Sequence, residues 1–142
     1  MSLDFSSLAN AIGQLEKSIS FATSDMAKQN DELFEQLRNS VIQCFEFTYE
    51  LSWKMLKRYL EETAASPDEI DTSAFQNLIR MGNEQGLLRS DWSRWKVYRQ
   101  ARTISSHAYD ADKAGKVYEI APDFLEEARY LHAQLMKKDQ TL

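Results

Sequence analysis

Apolar residues recur every three or four positions over most of the chain, which is the spacing of one face of an α-helix. The first set comprises Leu8, Ile12, Leu15, Ile19 and Ala22. It predicts a helix over about residues 5–28. Asp4 and Ser6 are its candidate N-caps, because their side-chain oxygens can accept from free backbone N–H groups.

A longer apolar pattern follows, comprising Leu33, Leu37, Val41, Phe45, Tyr49, Trp53, Leu56 and Leu60. It predicts a second helix over about residues 32–64, with Asn30 and Asp31 as the break and cap before it. Aromatic residues lie on several sides, so we expect burial on more than one side, either centrally in a bundle or in a subunit interface. Glu46 and Glu50 are like charges one turn apart, so Glu46 either has a basic partner on a facing helix or stays solvated.

Turn signals divide the following segment. Pro67 and its neighbours predict a loop over residues 64–68. A short third helix follows over about residues 74–81, and its candidate caps and terminators are Asp71, Thr72, Ser73, Gly82 and Gly86. Ser90 and Asp91 then open a fourth helix that reaches about Tyr109.

The fourth helix divides into an apolar and a polar side. Its predicted core face comprises Val97, Ala101, Ile104 and Ala108. The opposite side comprises Arg99, Arg102, Thr103, Ser106, His107, Tyr109 and Asp110. Trp92 and Trp95 lie on this polar side, where exposed indole rings would favour a buried partner surface or could stack on nucleobases. Large aromatic residues at the start of an amphipathic helix, however, more often belong to an interface or to the core. We therefore expect the reactive groups to face a groove, to which a second copy of the helix could contribute the other wall.

Pro122 suits the first turn of a last helix over about residues 122–138, after an irregular connection or a turn of helix at 110–115. Its predicted inward residues are Phe124, Leu125, Ala128, Leu131 and Leu135. Four or five helices with short connections predict an all-α bundle. The length of 142 residues fits a single domain over residues 1–142.

The composition supports this fold class. Only 4 Gly and 2 Pro occur, and helix formers far outnumber β-branched residues, which excludes an all-β or doubly wound fold. No apolar run approaches the roughly 20 residues that cross a bilayer. The N-terminus lacks the pattern of a secretory signal, so we expect a cytoplasmic protein without membrane association. Lone Cys44 and two His residues exclude an ordinary Cys/His zinc site, and no feature calls for a metal or cofactor.

The charge distribution limits the kind of partner. A net charge of −5 argues against extensive coating of nucleic acid, which requires many basic residues. Residues 89–102 nevertheless contain five basic side chains against one acidic side chain. This stretch is either a local contact for nucleic acid or a solvated helix face.

Arg102 and His107 carry the candidate chemistry, because together they can cleave a phosphodiester without a metal. An imidazole can take a proton from a ribose 2′-OH or donate one to the leaving 5′-oxygen. A guanidinium stabilises the charge of the phosphorane. Arg99 and Ser106 lie between them as secondary phosphate-binding or orienting groups, and Glu46 is a further orienting candidate. The alternative is a surface histidine on a polar helix.

Two motifs resemble those of a known family. Residues 102–109 resemble the R-x4-H-x-Y motif of HEPN-domain toxins encoded beside minimal nucleotidyltransferases, which are also called nucleotidyltransferase substrate-binding proteins. Residues 38–54 are similar to an aromatic-rich stretch of the same family. The resemblance implies an up-and-down four-helix bundle with an extra short helix, dimerising through the motif helix. It also implies that Arg102 and His107 are the residues of a metal-independent ribonuclease.

The resemblance further implies a nucleotidyltransferase partner that silences the toxin by attaching AMP to Tyr109. Thr103 departs from the pattern, because many members carry Asn or Asp there, and this change would reduce or alter activity. Three functions stay open at this point. They are a toxin ribonuclease acting on RNA, a non-enzymatic subunit that binds a nucleotidyltransferase or its substrate, and a helical adaptor with a solvated polar face.

Overall fold

The computed structural model describes residues 3–71 and 74–139, and within these ranges it contains helices and no β-strand. The helices are α1 (Ser6–Ala22), α2 (Asp25–Lys28), α3 (Asp31–Thr63), α4 (Pro67–Asp71), α5 (Phe75–Glu84), α6 (Trp92–Ile104) and α7 (Ala111–Asp139). A 3-10 turn, Ser105–His107, extends α6. The all-α bundle predicted from the sequence is confirmed. None of the helices in these ranges has a stretch apolar and long enough to cross a membrane.

Contacts between α1 and α7 show that these helices are antiparallel. The backbone N–H of Leu3 donates to Asp139 Oδ2 at 2.9 Å, so the start of the chain meets the end of α7. Further along, Glu16 Oε2 lies 2.7 Å from Arg129 Nη2. Helix α3 packs against both α1 and α7 and contacts α6 as well. It therefore occupies the centre of the bundle, which is one of the two environments predicted from its aromatic residues.

The other pairings follow from side-chain contacts. Phe34 and Phe45 of α3 meet Tyr118 and Phe124 of α7 in the same order along both helices, so α3 and α7 are parallel. The backbone N–H of Arg89 donates to Glu127, whereas Tyr98 donates to Asp123. Helices α6 and α7 therefore run in opposite directions. These directions give the up-and-down bundle that the resemblance implies.

An aromatic cluster fills the centre, where α3, α6 and α7 meet. It comprises Phe45, Tyr49, Trp95, Tyr98 and Phe124. Their ring centroids lie 4.9 to 6.1 Å apart, mostly edge to face or tilted. Each such ring buries about 150–250 Å², so this cluster supplies much of the apolar area that holds the three helices together.

The first helix is shorter than predicted. It ends at Ala22 instead of about residue 28, and α2 follows as a separate short helix. The reason is local capping: the Ser24 hydroxyl accepts from the Ala27 N–H at 3.3 Å and so begins a new helix. At the other end, the Asp4 carboxylate accepts from the Ser6 N–H at 2.9 Å, but Phe5 occupies the N-cap position and Ser6 is the first helical residue, so neither predicted residue is the N-cap.

The second predicted helix agrees with α3 within one residue at each end. Asn30 caps it by accepting from the Leu33 N–H at 3.1 Å. The loop predicted over residues 64–68 is shorter, because Pro67 begins α4. A proline suits the first turn of a helix, where its missing N–H costs nothing. The candidate caps Thr72 and Ser73 lie outside the described residues.

Helix α5 extends past Gly82, which was one of its two predicted terminators. Gly82 is buried inside the helix, and a Cβ there would lie 3.0 Å from Leu88 and 3.2 Å from Leu56. It therefore allows close packing of α5 against α3. Gly86 is the actual terminator, since its φ of +71° is a conformation that residues with a side chain rarely adopt.

The core face predicted for α6 is confirmed for Ala101, and its members Ile104 and Ala108 are half-buried against the core, but the largest buried side chains lie elsewhere on the helix. The buried residues of this helix are Trp95, Tyr98 and Ala101, whereas Val97 and Ile104 are only half-buried. The helix is rotated so that its two large rings enter the aromatic cluster. Burying them removes more apolar surface from water than burying the smaller aliphatic side chains would. For the same reason Trp95, which helix geometry places on the polar side, lies in the core, one of the environments considered for it.

The last helix begins earlier than predicted, at Ala111 instead of about residue 122. Asp110 starts it by accepting from the Asp112 N–H at 2.9 Å. Pro122 lies inside α7 on its exposed side. Its missing N–H costs one backbone hydrogen bond, and the buried residues on either side hold the helix continuous across it. The inward residues predicted from the sequence are all buried.

Candidate functional site

Arg102 lies in the last turn of α6 and bridges to two carboxylates of α3. Its Nη1 is 3.1 Å from Glu46 Oε2, and its Nε donates to Glu50 Oε1 at 3.2 Å. Nη1 also donates to Ser105 Oγ at 3.3 Å. All three charged side chains are about one-third exposed. The guanidinium is therefore held at the edge of the core instead of projecting into solvent.

The two glutamates face the same way because they are one helical turn apart. Two like charges at this spacing repel each other, and the guanidinium between them compensates. The basic partner considered for Glu46 on a facing helix is thus present, and it is Arg102. Glu50 was not predicted as a site residue, although its spacing from Glu46 was the available signal. It also accepts from Trp53 Nε1 at 3.2 Å, which fixes the indole beside the ion pair.

A cleft of about 450 Å³ opens beside this ion pair, between α3, α4, α5 and α6. Its lining comprises Tyr49, Glu50, Trp53, Lys57, Ile70, Phe75, Leu78, Arg99, Arg102 and Thr103. The Tyr49 ring forms part of its floor and is almost completely buried. Burial raises the pKa of the Tyr49 phenol, so this group stays protonated and able to donate.

His107 lies at the end of the 3-10 turn and is exposed, as is Tyr109 after it. His107 Nδ1 is 3.0 Å from the Tyr109 hydroxyl. If the hydroxyl donates, Nδ1 is the acceptor and the proton of the neutral ring sits on Nε2; the reverse tautomer leaves Nε2 as the acceptor. Within one chain, His107 does not line the cleft beside Arg102.

Regular α-helical geometry predicts that Arg102 and His107 lie on the two flanks of one arc that faces away from the core. This prediction is wrong for Arg102, because the rotation of α6 turns it towards α3. The 3-10 turn also changes the angular step after Ile104, so His107 no longer follows the α-helical arc.

The remaining candidates divide between the cleft and the open surface. Arg99 lines the cleft, and its guanidinium carbon lies 5.0 Å from the centre of the Phe75 ring. Thr103 is exposed at the edge of the cleft, and its hydroxyl donates to the Arg99 carbonyl at 3.1 Å. Ser106 is exposed outside the cleft and donates to the Thr103 carbonyl at 3.3 Å. Phe75 is a cleft residue that sequence analysis did not single out.

Two further expectations concern aromatic residues and metals. Trp95 is completely buried, so it cannot stack on a base, and Trp92 is half-buried. Among residues 3–71 and 74–139, no group of three or more His, Cys, Asp or Glu side chains is arranged to hold a metal ion.

Comparisons with known proteins place the chain among relatives. A family model described as "Nucleotidyltransferase substrate binding protein like" matches residues 3–137. A protein of Haemophilus influenzae named "Probable ribonuclease HepT" is 44% identical over 99 residues, which cover 70% of this chain and 67% of that protein.

Two solved structures share the fold. One, from Haemophilus influenzae, is described as the fold of a substrate binding domain of a nucleotidyltransferase. It superposes with a TM-score of 0.87 at 36% identity, covering 94% of this chain and 99% of that one. The other, from Thermus thermophilus, has a TM-score of 0.65 at 23% identity, covers 90% of this chain and 98% of that one, and supports the fold alone.

Proposed function

This chain belongs to the family of nucleotidyltransferase substrate binding-like proteins, and on that premise we propose that it is a HEPN-type toxin that cleaves RNA without a metal ion. Its antitoxin would be a minimal nucleotidyltransferase. The observation that carries the proposal is that one short segment presents both a fixed guanidinium, that of Arg102, and an exposed imidazole, that of His107. The name of the Haemophilus influenzae relative supports the same reaction.

Imidazole and guanidinium side chains together supply the catalytic groups that the reaction needs. A neutral imidazole takes the proton of a ribose 2′-OH, and the 2′-oxygen forms a bond to phosphorus. The bond from phosphorus to the 5′-oxygen then breaks, and that oxygen takes a proton from an imidazolium. The guanidinium of Arg102 stabilises the negative charge on the phosphorane. The products are a 2′,3′-cyclic phosphate and a 5′-hydroxyl.

We place the complete site between two copies of the chain. In an in-line displacement the attacking 2′-oxygen and the leaving 5′-oxygen lie on opposite sides of phosphorus, so one imidazole does not reach both, and His107 does not line the cleft of its own Arg102. A second copy packed through the motif helix would supply the other histidine and close the groove. The half-buried Val97 and Ile104 border a groove between α6 and α7, and their exposed parts provide apolar surface for such a contact.

Tyr109 is the proposed point of control by the nucleotidyltransferase. Its side chain is 84% exposed, and its hydroxyl touches His107. Attack of this oxygen on the α-phosphate of ATP would form the tyrosyl–AMP bond and release pyrophosphate. The attached nucleotide would occupy the space in front of His107 and add negative charge, which repels RNA. RNA and the partner would be encountered in the cytoplasm.

The test is incubation of the purified protein with total RNA and tRNA in EDTA. We expect cleavage by the wild type and by His132→Ala, and none by His107→Ala. His132 is the only other histidine and lies half-buried on α7, so its variant controls for loss of an imidazole as such. Cleavage by folded His107→Ala at the wild-type rate would contradict the proposal, as would RNA that stays intact with all three proteins.

A second function is a non-enzymatic subunit that presents a substrate to the nucleotidyltransferase. The pairing of Arg102 with two carboxylates favours it, because these groups compete with an RNA phosphate for the guanidinium. The description of the Haemophilus influenzae structure is consistent with it. A stable complex with the nucleotidyltransferase, together with no RNA cleavage before or after its removal, would support this function over the first.

A further inference from the structure

The cleft beside Arg102 combines an aromatic interior with a cationic edge. Trp53 and Phe75 are half-buried and form its walls, and the buried Tyr49 forms part of its floor. Arg99 and Arg102 lie on the side formed by α6. Such a lining fits a ligand that has both a flat apolar ring and a negative charge.

The charge of the cleft differs from that of the whole chain. Its lining holds Lys57, Arg99 and Arg102 against Glu50 as the acidic residue, whereas the chain carries a net charge of −5. The guanidinium of Arg99 already lies over Phe75, which is the way that arginine and aromatic rings stack on nucleobases. A volume of about 450 Å³ is within the range of small-ligand clefts.

We propose that this cleft is a nucleobase subsite that binds one unpaired base of an RNA strand while Arg99 and Arg102 contact its phosphates. The inference rests on the proposed function, to which it adds single-stranded RNA as the substrate class. A free mononucleotide has the same ring and phosphate chemistry. A strand is favoured because the exposed Lys96 borders a neighbouring hollow together with Arg99 and Thr103, where it can contact a further phosphate.

The buried phenol of Tyr49 adds a polar contact to the stacking surfaces. It stays protonated and lies on the floor of the cleft, so it can donate a hydrogen bond to an acceptor on the edge of a base. Trp53 contributes through its position, because its indole N–H is engaged by Glu50 at 3.2 Å and the ring is held beside the Arg102 ion pair.

The experiment measures how much the bases of a strand contribute to its binding. One probe is an octamer of 2′-O-methyl adenylate, which cannot be cleaved because its 2′-oxygens carry methyl groups. The other is an octamer with the same sugar-phosphate backbone and no bases. We expect the wild type to bind the first about tenfold more tightly than the second, as stacking of one base provides.

Phe75→Leu should bring this ratio of dissociation constants close to one. Phe34→Leu is the matched control, since Phe34 is also half-buried, has an edge-to-face partner and lies under a guanidinium, that of Arg38 at 5.9 Å. It should keep the wild-type ratio. Equal ratios in both variants and the wild type would overturn the inference.

A second variant avoids the core altogether. Thr103→Met narrows the edge of the cleft with a longer side chain and should also lower the ratio. Its control is Thr23→Met, because Thr23 is also exposed and its hydroxyl likewise donates to the carbonyl four residues before it, at 2.9 Å. If Thr103→Met keeps the wild-type ratio, the cleft does not hold a base.

Two further measurements separate the occupants and the two proposals. If AMP displaces the labelled adenylate octamer as effectively as unlabelled octamer does, the ligand of the cleft is a free nucleotide and not an RNA strand. If the wild type binds both octamers equally and Thr103→Met loses binding to the nucleotidyltransferase, the cleft binds a protein partner instead of RNA. Base-dependent binding without cleavage would refute the ribonuclease and leave the subsite, whereas cleavage without base-dependent binding would refute the subsite alone.

Discussion

Two arginine clusters lie at opposite ends of α6 and use their charges differently. At the N-terminal end, Asp123 of α7 accepts from Arg89 at 2.6 Å and from Arg94 and Tyr98 at 2.7 Å. Burial by itself would raise the pKa of this carboxyl, but the hydrogen bonds that it accepts lower the pKa below its usual range. One carboxylate is thus shared among three donors, and its capacity to accept is largely used within the fold.

At the C-terminal end the ratio is reversed, because one guanidinium is shared between two carboxylates. Arg102 uses Nε for Glu50 and Nη1 for Glu46 and Ser105, and about one-third of its side chain is exposed. This cluster borders an open cleft. The comparison indicates that the Asp123 cluster stabilises the packing of α6 on α7, whereas the Arg102 cluster holds its charges at the edge of a cleft, where the proposed function requires them.

The largest expected effect concerns activity at the Arg102 end. Arg102→Ala should lower the rate of RNA cleavage by about 100-fold or more, because loss of one charge-stabilising donor typically costs that much. Arg129→Ala should leave the rate unchanged. Arg129 also pairs with two glutamates and is 38% exposed against 33% for Arg102, so it matches the charge and the contacts removed. If both variants lose the same activity, the Arg102 cluster has no specific role in RNA cleavage.

The next effect concerns stability at the Asp123 end. Asp123→Ala should lower the free energy of unfolding by about 2–3 kcal/mol, because the buried Tyr98 hydroxyl loses its acceptor and two guanidinium groups lose their partner. Glu46→Ala should cost less than about 1 kcal/mol, since Arg102 keeps Glu50. Urea unfolding monitored by circular dichroism measures the stability of both variants. If Glu46→Ala loses more stability than Asp123→Ala, the Arg102 cluster is the one that stabilises the fold.

A smaller effect is the pH dependence of the Asp123 contribution. The folded pKa of Asp123 lies below its unfolded value of about 3.9, so the stability from its ionised form is present above that value. It is lost as the pH falls through the folded pKa. The difference in unfolding free energy between the wild type and Asp123→Asn should stay constant from about pH 7 to 5 and decrease below about pH 4. Since Glu127, whose pKa burial raises, is present in both proteins, its titration largely cancels in the difference. A difference that instead grows below pH 4 would contradict the sign.

The smallest effect separates two tyrosine hydroxyls. Tyr98→Phe should lower the free energy of unfolding by about 1 kcal/mol, the contribution of one hydrogen bond to a carboxylate near the core. Tyr109→Phe should leave it unchanged, because this side chain is 84% exposed. It should also abolish attachment of AMP by the nucleotidyltransferase, which mass spectrometry detects. Modification of Tyr109→Phe protein at the wild-type level would assign the reaction to another residue.

Helix α6 shows how far a helical pattern predicts packing. The spacing of Val97, Ala101 and Ile104 correctly indicates a helix, yet the core face predicted from it is rotated away from the observed one. Periodicity counts apolar positions equally, whereas burial free energy grows with the area of each side chain. The rings of Trp95 and Tyr98 therefore set the rotation of α6.

The site shows a similar limit. Arg102, His107 and Tyr109 are close in sequence, so their spacing could be recognised as a motif. Glu50 and Phe75 come from other helices, and only the packing of α3 and α5 against α6 brings Glu50 beside Arg102 and Phe75 beside Arg99. No local pattern carries that information, because a charged residue on a helix surface has the same sequence signature whether it is solvated or paired.

The sequence by itself determined the all-α class, the bounds of α3, the inward residues of α7 and the family, because these depend on local propensity, capping and the order of motifs. Tertiary structure alone decided the rotation of α6, the continuity of α7 through Pro122 and the two-carboxylate hold on Arg102. Each of these depends on burial and charge pairing between segments far apart in the chain. Those energies exceed the local preferences of single residues, so they become readable only when the helices are packed.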